Sequence, residues 1–230
     1  MALAGSGVLA IWNGIAAEAE ADFIAWHMRE HIPERVGVPG FLRGRRYVAL
    51  SGTPKYFNFY ETETPQTLSS APYLARLNAP SPWTRRVVSR FQDTSRTLCA
   101  VAASLGLGDG GYIATLRLNA AGPRDVLVED VTDKVATPLL AEPAIIGVHL
   151  LEGQPESGGA QTEEKTLRGQ PDHTAAWILL IEAADPEPLQ GALAGLASPA
   201  ALAAAGASYA APQDCGIYRL QYGLAHNQLA

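Results

Sequence analysis

The apolar positions of the chain fall into short runs of strand length, separated by longer amphipathic stretches. In the first half, apolar or aromatic runs predict four strands, over residues 7–13, 41–50, 56–63 and 97–103. A helix is predicted over 16–36. Two further helices are predicted after Thr64-Pro65 and Ser81-Pro82, because Ser or Thr followed by Pro is typical of a helix N-terminus. The predicted order is therefore βαββαβ.

The same order recurs in the second half. The predicted elements are strands over 112–118, 144–152, 173–182 and 216–222 and helices over 125–136 and 186–205. Landmarks before residue 51 recur at nearly constant spacing, with Leu116 placed 105 positions after Ile11 and Pro143 placed 104 after Pro39. The offset then rises to 121 between Gln92 and Gln213. The polar connection over 153–171 is longer than the four-residue turn of the first half. Such spacing indicates a duplicated fold.

Each βαββαβ unit predicts a ferredoxin-like module, which is an antiparallel sheet with two helices on one face. We assign the modules to residues 1–104 and 105–230, with a glycine-rich linker over 105–111. The strand over 7–13 is apolar on both faces, so the sheet face without helices needs a cover. The predicted fold class is α+β, a tandem duplication of two ferredoxin-like modules. Their sheets would pack as an α+β barrel, within one chain or across a homodimer.

Composition and charge limit the classes of partner that we expect for this chain. The 230 residues are 47% hydrophobic and 17% charged, as in globular proteins, and the net charge is −6. Aromatic residues over 56–63 lie where RNA-binding modules stack bases, but the glycines of those modules are missing, so we expect no nucleic-acid partner. No apolar run reaches transmembrane length and no signal peptide is evident, and Cys99 and Cys215 show no metal spacing. We expect a cytoplasmic protein without a membrane partner.

The helix over 16–36 carries two histidines inside its apolar stripe. At about 100° per residue, with Phe23 at 0° and Ile24 near 100°, His27 and His31 fall at roughly 40° and 80°. Both imidazoles should therefore face the rest of the protein. Two interpretations follow. They are core histidines bonded to their neighbours, or they line a pocket and use their near-neutral pKa to bind or catalyse.

The segment from His27 to His31 also reads H-x-x-E-H, the pattern of the inverted zinc peptidases. That chemistry needs a third ligand on a second helix. His149 and His173 lie instead on predicted strands, and a pattern with three fixed positions occurs often by chance. We therefore expect no metal.

A Trp-His pair and a further histidine end this helix, followed by Pro-Gly-Phe and an Arg-Tyr pair. The residues are Trp26, His27, His31, Pro39, Gly40, Phe41, Arg46 and Tyr47. This arrangement resembles the dimeric α+β-barrel superfamily, particularly its EthD-like and antibiotic-biosynthesis-monooxygenase-like proteins. The resemblance implies a pocket between sheet and helices, with His31 matching a histidine late in the first helix of EthD-like proteins. The second module lacks such a histidine, so we expect it to be a degenerate partner.

The resemblance further implies a small cofactor-independent oxygenase, isomerase, dehydratase or cyclase, although some similar proteins bind haem. The expected ligand is a small hydrophobic organic molecule. The predicted pocket residues are Trp26, His27, His31, Arg46, Tyr47, Tyr60 and Trp83. His31 or His27 would be the general base or acid, and Arg46 or a tyrosine would stabilise oxyanion charge. Arg43 and Arg45, on the other strand face, are interpreted as surface residues. The alternative is a non-catalytic ligand-binding or structural protein of the same fold.

Overall fold

The computed structural model describes residues 3–154, 161–169, 172–209 and 214–229. Its centre is a closed barrel of eight antiparallel strands, and the helices pack on the outside of that barrel. The predicted α+β barrel is confirmed. No helix within these ranges is long and apolar enough to cross a bilayer.

Each half runs strand, helix, strand, strand, helix, strand, as predicted. The strands of the first half are β1 (Gly7–Ile15), β2 (Phe41–Ser51), β3 (Tyr56–Thr62) and β4 (Phe91–Gly106). Those of the second half are β5 (Tyr112–Ala120), β6 (Ile145–Gly153), β7 (Trp177–Ala183), β8 (Ala207–Ser208) and β9 (Cys215–Ala225). The α-helices of the first half are α1 (Glu20–Trp26), α2 (Ile32–Val36), α3 (Ala71–Leu77) and α4 (Pro82–Val88). Those of the second half are α5 (Arg124–Val131), α6 (Thr137–Leu140), α7 (Glu163–Arg168), α8 (Pro186–Ala194) and α9 (Pro199–Ala204).

The strands pair in the order expected for two ferredoxin-like sheets. The first half has the order β4-β1-β3-β2, and the second half has β9-β5-β7-β6. The sheets join through the antiparallel pairs β2–β9 and β4–β6. Because both seams lie within the chain, the barrel closes without strands from a second copy.

Alternation along β3 separates two cores, as the sequence predicts. Phe57 and Phe59 point into the barrel, whereas Tyr56 and Tyr60 pack under the helices. The interior is filled by side chains from both halves, among them Val8, Ala10, Trp12, Tyr47, Cys99, Ile113, Leu151, Ile178, Leu180 and Tyr218. Because these side chains fill the centre, the barrel interior has no room for a ligand along most of its length.

Both halves widen their first helix by one π-helical turn, which the sequence analysis did not predict. The turns span His27–His31 and Thr132–Ala136, so they begin 105 positions apart, and each precedes a proline by one residue, Pro33 and Pro138. A proline ring clashes with the carbonyl four residues earlier, and widening the turn accommodates it without breaking the helix. The equivalent turn of the second half contains no histidine.

One end of the barrel interior holds a buried network of charged groups. Arg45 donates from Nη1 to Glu182 Oε2 (3.0 Å) and from Nη2 to Oε1 of both Glu182 and Glu61 (both 3.1 Å). Glu182 also accepts from the backbone N–H of Gly110 (2.8 Å) and lies 3.5 Å from His149 Nε2. Arg45 is only 2% exposed, so its interpretation as a surface residue is wrong.

Arg43 is also not a free surface residue. Its Nη2 lies 2.7 Å from Glu61 Oε1, and its guanidinium also pairs with Asp109 at the rim of the barrel. The prediction for both arginines was wrong because alternation shows only on which face of the strand a side chain lies. It does not show whether that face is enclosed by the rest of the protein.

Four predicted segments also differ from the structure. The connection over 153–171 contains α7, and β4 begins at Phe91, because its polar first residues pair with β1. His173 forms an isolated bridge with Ser95 and does not belong to β7. The predicted helix over 186–205 is two helices, α8 and α9, with Ser198 capping the second one.

Candidate functional site

A small cavity lies between the sheet of the first half and its helices, where the resemblance implied a pocket. Its volume is about 40 Å³, which is room for a few water molecules. It is lined by Leu9, Ile11, Trp26, His31, Arg35, Tyr60, Tyr73, Leu77, Val88, Phe91, Thr94, Arg96, Glu164 and Arg168. The first twelve residues belong to the first half, and the last two belong to α7.

His31 reaches this cavity from the π turn. Its ring lies against the Trp26 indole, with centroids 4.2 Å apart, and is stacked on His27 at 5.4 Å. Trp26 is itself fixed by a hydrogen bond from Nε1 to Thr84 Oγ1 (3.1 Å) on α4. The Nδ1 atom of His31 is buried without a hydrogen-bond partner among the described residues. The expectation that both histidines face the protein interior is confirmed, and His31 is not a fully bonded core histidine.

His27 lies one layer deeper and connects to Tyr60. Its Nε2 atom is 3.4 Å from the Tyr60 hydroxyl oxygen, and its ring stacks on Phe23 with centroids 5.0 Å apart. If His27 donates from Nε2, the Tyr60 hydroxyl can direct its own hydrogen into the cavity. Tyr60 therefore links the two histidines to the cavity wall.

Burial sets the protonation of these groups. It lowers the pKa of His31 well below its usual value, with a further lowering by the nearby Arg35 guanidinium. It lowers the pKa of His27 in the same way, with Arg46 as the nearest cation. Burial raises the pKa of the Tyr60 hydroxyl. At neutral pH the site therefore contains two uncharged imidazoles and a phenol that keeps its proton.

Three arginines and one carboxylate line the cavity. Arg35 is ion-paired with Glu164 of α7, and both side chains are buried. Arg168 pairs with Asp172, which lies outside the cavity lining (2.7 Å). Arg96 donates to the Tyr73 hydroxyl (3.0 Å) and has no carboxylate partner in the described part of the chain. The lining therefore has an excess of positive charge.

Three predicted site residues lie away from this cavity. Tyr47 points into the barrel, on the opposite face of the sheet from His31. Trp83 donates from Nε1 to Asp22 (2.8 Å) and fastens α4 to α1. Arg46 lies on the helix side but donates to the Ile24 carbonyl (3.3 Å), and its guanidinium carbon is 5.9 Å from the Phe23 ring centre. Of the seven predicted residues, the structure brings together Trp26, His27, His31 and Tyr60.

The H-x-x-E-H segment does not assemble as a zinc site. Glu30 turns toward α4 and accepts hydrogen bonds from the hydroxyls of Ser81 (2.5 Å) and Thr84 (3.2 Å). Across the described ranges, no group of three His, Cys, Asp or Glu side chains is placed to hold a metal ion.

Sequence reasoning missed six polar residues of the cavity, namely Arg35, Tyr73, Thr94, Arg96, Glu164 and Arg168. Arg35 follows His31 by four positions, so the helical period could have placed it on the same face. Glu164 and Arg168 gave no such signal, because contacts between α7 and the first half join residues far apart in the chain.

A second cavity, of about 650 Å³, opens at the barrel end opposite the Arg45 network. It is lined by Thr53, Pro54, Asp93, Ser95, Arg117, Leu118, Asn119, His173, Thr174, Ala175, Ala176 and Asp214. Arg117 there pairs with Asp214 (3.2 Å) and lies over the Trp12 ring. Backbone and small polar groups dominate this bowl, and none of the predicted site residues lines it.

No protein-family model matches the chain, and no curated protein sequence matches it. Solved structures do share its fold. An anthrone oxidase-like protein superposes with a TM-score of 0.64 at 14% identity, covering 97% of this chain and 94% of its own. A proposed monooxygenase from Fusobacterium nucleatum gives 0.59 at 8% identity, with 97% and 96% covered. A heme-binding protein from Thermus thermophilus gives 0.51 at 9% identity, with 95% and 92% covered. These similarities show the dimeric α+β-barrel fold, and the EthD-like affiliation stays a prediction.

Proposed function

We propose that the first half of the chain binds a small aromatic molecule beside His31 and removes a proton from one of its carbon atoms without a cofactor. The observation that carries this proposal is the unbonded Nδ1 of a buried imidazole that lines a cavity next to a tyrosine hydroxyl. Leu9, Ile11 and Phe91 supply apolar walls suited to a flat ring. The name of the anthrone oxidase-like neighbour suggests a carbon acid as the first substrate to test.

His31 is suited to act as the general base. A base must be unprotonated to accept a proton, and burial keeps this imidazole neutral at physiological pH. Stacking on Trp26 and His27 limits rotation of the ring, so the proton acceptor is held in one orientation.

Tyr60 is suited to stabilise the anion that forms when the proton leaves. Its raised pKa keeps the hydroxyl protonated, so it can donate a hydrogen bond to a developing enolate oxygen. His27 would act as a positioning residue, because its Nε2 lies within reach of the Tyr60 oxygen. The sequence left this role to Arg46 or a tyrosine, and we assign it to Tyr60, because Tyr60 lines the cavity and Arg46 does not.

For an anthrone, the balanced reaction converts a ring CH₂ group and O₂ into a C=O group and water. His31 takes one proton from the CH₂ group, and the resulting carbanion reduces molecular oxygen. The ring carbon forms a bond to one oxygen atom, and the resulting peroxide takes the first proton back from His31. Loss of the second C–H proton then forms the C=O bond and breaks the O–O bond, and the departing hydroxide takes up that proton to become water. The protein supplies the base and the oxyanion donor, and the electrons come from the substrate.

Replacing His31 by glutamine should lower the rate of anthrone oxidation by about 10²–10⁴-fold, because the base is lost while a planar polar group remains. The measurement is oxygen uptake in parallel with absorbance, and circular dichroism verifies folding. His173→Gln is the matched control, since that histidine lines the other cavity. Equal rates for His31→Gln and the parent would remove His31 from the mechanism.

Replacing Tyr60 by phenylalanine should lower kcat by about 10²-fold and change KM little, because the hydroxyl acts on charge that exists only in the transition state. The control is Tyr56→Phe on the same face of β3, whose hydroxyl bonds to Glu20 (2.5 Å) and does not line the cavity. A drop confined to KM would show that Tyr60 only binds the substrate.

The alternative function is ligand binding without catalysis. Wild-type protein that binds anthrone in the cavity but consumes no oxygen would favour a carrier or sensor.

Haem fits the site poorly. Imidazoles are available as ligands, but Trp26, Tyr60, Tyr73 and Leu77 enclose His31 around a cavity of about 40 Å³, which leaves no room for a macrocycle. We therefore derive no step that uses haem.

A further inference from the structure

The helix α7 belongs to the second half by sequence but covers the cavity of the first half. The backbone N–H of Glu163, at its start, donates to Asn78 Oδ1 (3.2 Å), beside α3. Leu167 packs into the apolar cluster that contains Trp26, and Glu164 and Arg168 form part of the cavity wall. Helix α7 therefore supplies a cover for a site whose other walls come from residues 9–96.

Glu164 brings a carboxylate into that cover. Its side chain is 6% exposed and bonds to the Arg35 guanidinium, which is 2% exposed. Arg35 also contacts Glu34 (3.3 Å), but Glu34 lies at the edge, where Arg76 shares it (3.1 Å). Glu164 is thus the buried counter-ion of Arg35.

The cavity has capacity for a further anion. Arg96 lines it without a carboxylate partner in the described ranges, and it donates to the Tyr73 oxygen. The Tyr73 hydroxyl hydrogen is therefore free for an acceptor in the cavity. An acidic group on a ligand would find two guanidinium groups and a phenol, provided that Glu164 withdraws.

We propose that Glu164 occupies the place of a ligand carboxylate, and that the ligand is an aromatic acid that displaces α7 and pairs with Arg35 and Arg96. The location of this ligand rests on the function proposed above. The present cavity is too small for an aromatic ring, so α7 must move before such a ligand can enter. The acidic group and the carbon acid would then be parts of one substrate.

Replacement of the Glu164 carboxylate by the ligand carboxylate is energetically reasonable, because it leaves no buried charge without a partner. Removing one partner of a buried ion pair is costly, but the ligand carboxylate replaces the one that leaves. The other polar contacts of α7 with the first half lie at the surface: the Glu163 N–H bond to Asn78 (3.2 Å) is exposed, and the Arg85–Glu163 pair (3.5 Å) is about half exposed on both sides. The six-residue helix can therefore be displaced without unfolding the barrel.

The test compares two neighbouring glutamates with two probes of the same shape. The probes are 1-naphthoate, which carries a carboxylate, and 1-naphthamide, which is neutral, and titration calorimetry gives their Kd values. Glu164→Gln removes the internal competitor and should tighten 1-naphthoate by about tenfold, with no change for 1-naphthamide. Glu163→Gln, the exposed matched control, should bind both probes as the wild type does.

Arg96→Gln should weaken the binding of 1-naphthoate by about tenfold and leave the binding of 1-naphthamide unchanged, because it removes one guanidinium from the acid subsite.

Should Glu164→Gln fail to fold, hydrogen exchange on wild-type protein provides a second test. Because only the carboxylate replaces Glu164, 1-naphthoate should speed exchange of the backbone amides over 165–168 at a lower concentration than 1-naphthamide does, and equal concentrations for the two probes would overturn the acid subsite.

The outcomes separate this inference from the proposed function. Equal gains for both probes in Glu164→Gln, or no gain for 1-naphthoate, would overturn the acid subsite while leaving the His31 pocket in place. Binding of neither probe to Glu164→Gln would overturn both proposals. The predicted selectivity for 1-naphthoate combined with no turnover of any carbon acid would support the acid subsite and exclude the catalytic role of His31.

Discussion

Replacing Arg45 by methionine lowers the free energy of unfolding by about 3–5 kcal/mol, because the buried Glu182 loses its arginine and the buried Glu61 keeps only Arg43. Glu61 and Glu182 are each 1% exposed and both accept hydrogen bonds from this one guanidinium. Methionine matches much of the length of the side chain, so the effect comes mainly from the lost charge rather than from a cavity. Urea unfolding at pH 7, followed by tryptophan fluorescence, measures it.

The control is Arg124→Met, which breaks exposed pairs with Asp125 and Glu152 and should cost at most about 1 kcal/mol. The triple variant in which Arg45, Glu61 and Glu182 become methionine, glutamine and glutamine should recover part of the loss, since no buried charge then lacks a partner. A loss below about 1 kcal/mol for Arg45→Met would show that water reaches the network.

Acidification destabilises the barrel through Glu182. Burial alone would raise the pKa of this carboxyl, but the charge of Arg45 and the hydrogen bond with His149 outweigh burial and lower the pKa from 4.5 to about 2. A group with a depressed folded-state pKa stabilises the protein fully above its unfolded value and loses that contribution as the pH falls toward the folded value. We therefore expect a loss on the order of 3 kcal/mol between pH 4.5 and 2 from this group.

The comparison is the pH dependence of unfolding in urea for wild type and Glu182→Gln. The variant starts less stable at pH 7 but should lose less stability between pH 5 and 3, because glutamine does not titrate. Glu152→Gln serves as the control, since Glu152 is 25% exposed and pairs with the exposed Arg124. Parallel curves for wild type and Glu182→Gln would assign the acid sensitivity to other carboxyls.

The barrel could be predicted from the sequence, because its strands and helices follow from local patterns of apolar residues with a fixed period. Alternation along 56–62 assigned Phe57 and Phe59 to one core and Tyr56 and Tyr60 to another. The constant spacing of landmarks revealed two units of the same order. The closure through β2–β9 and β4–β6 could not be chosen over a homodimer, since either solution covers the same apolar faces.

The site could be predicted only in part. The helical period placed His27 and His31 on one face, the resemblance added Trp26, and Tyr60 followed from strand alternation. Glu164 could not be found, because its contact with Arg35 spans 129 positions and the segment around it has no apolar period. Tyr47 was assigned to the pocket by resemblance, although alternation already placed it on the opposite face from Arg46.

Because the barrel closes within one polypeptide, its assembly does not depend on protein concentration. A barrel assembled from two chains falls apart on dilution, and its folding is second order in protein concentration. Here the seams β2–β9 and β4–β6 form in a unimolecular step, so the barrel persists at any dilution. Two identical chains would also carry every substitution twice. One continuous chain can carry its imidazoles in the first half and the helix that covers them, α7, in the second half.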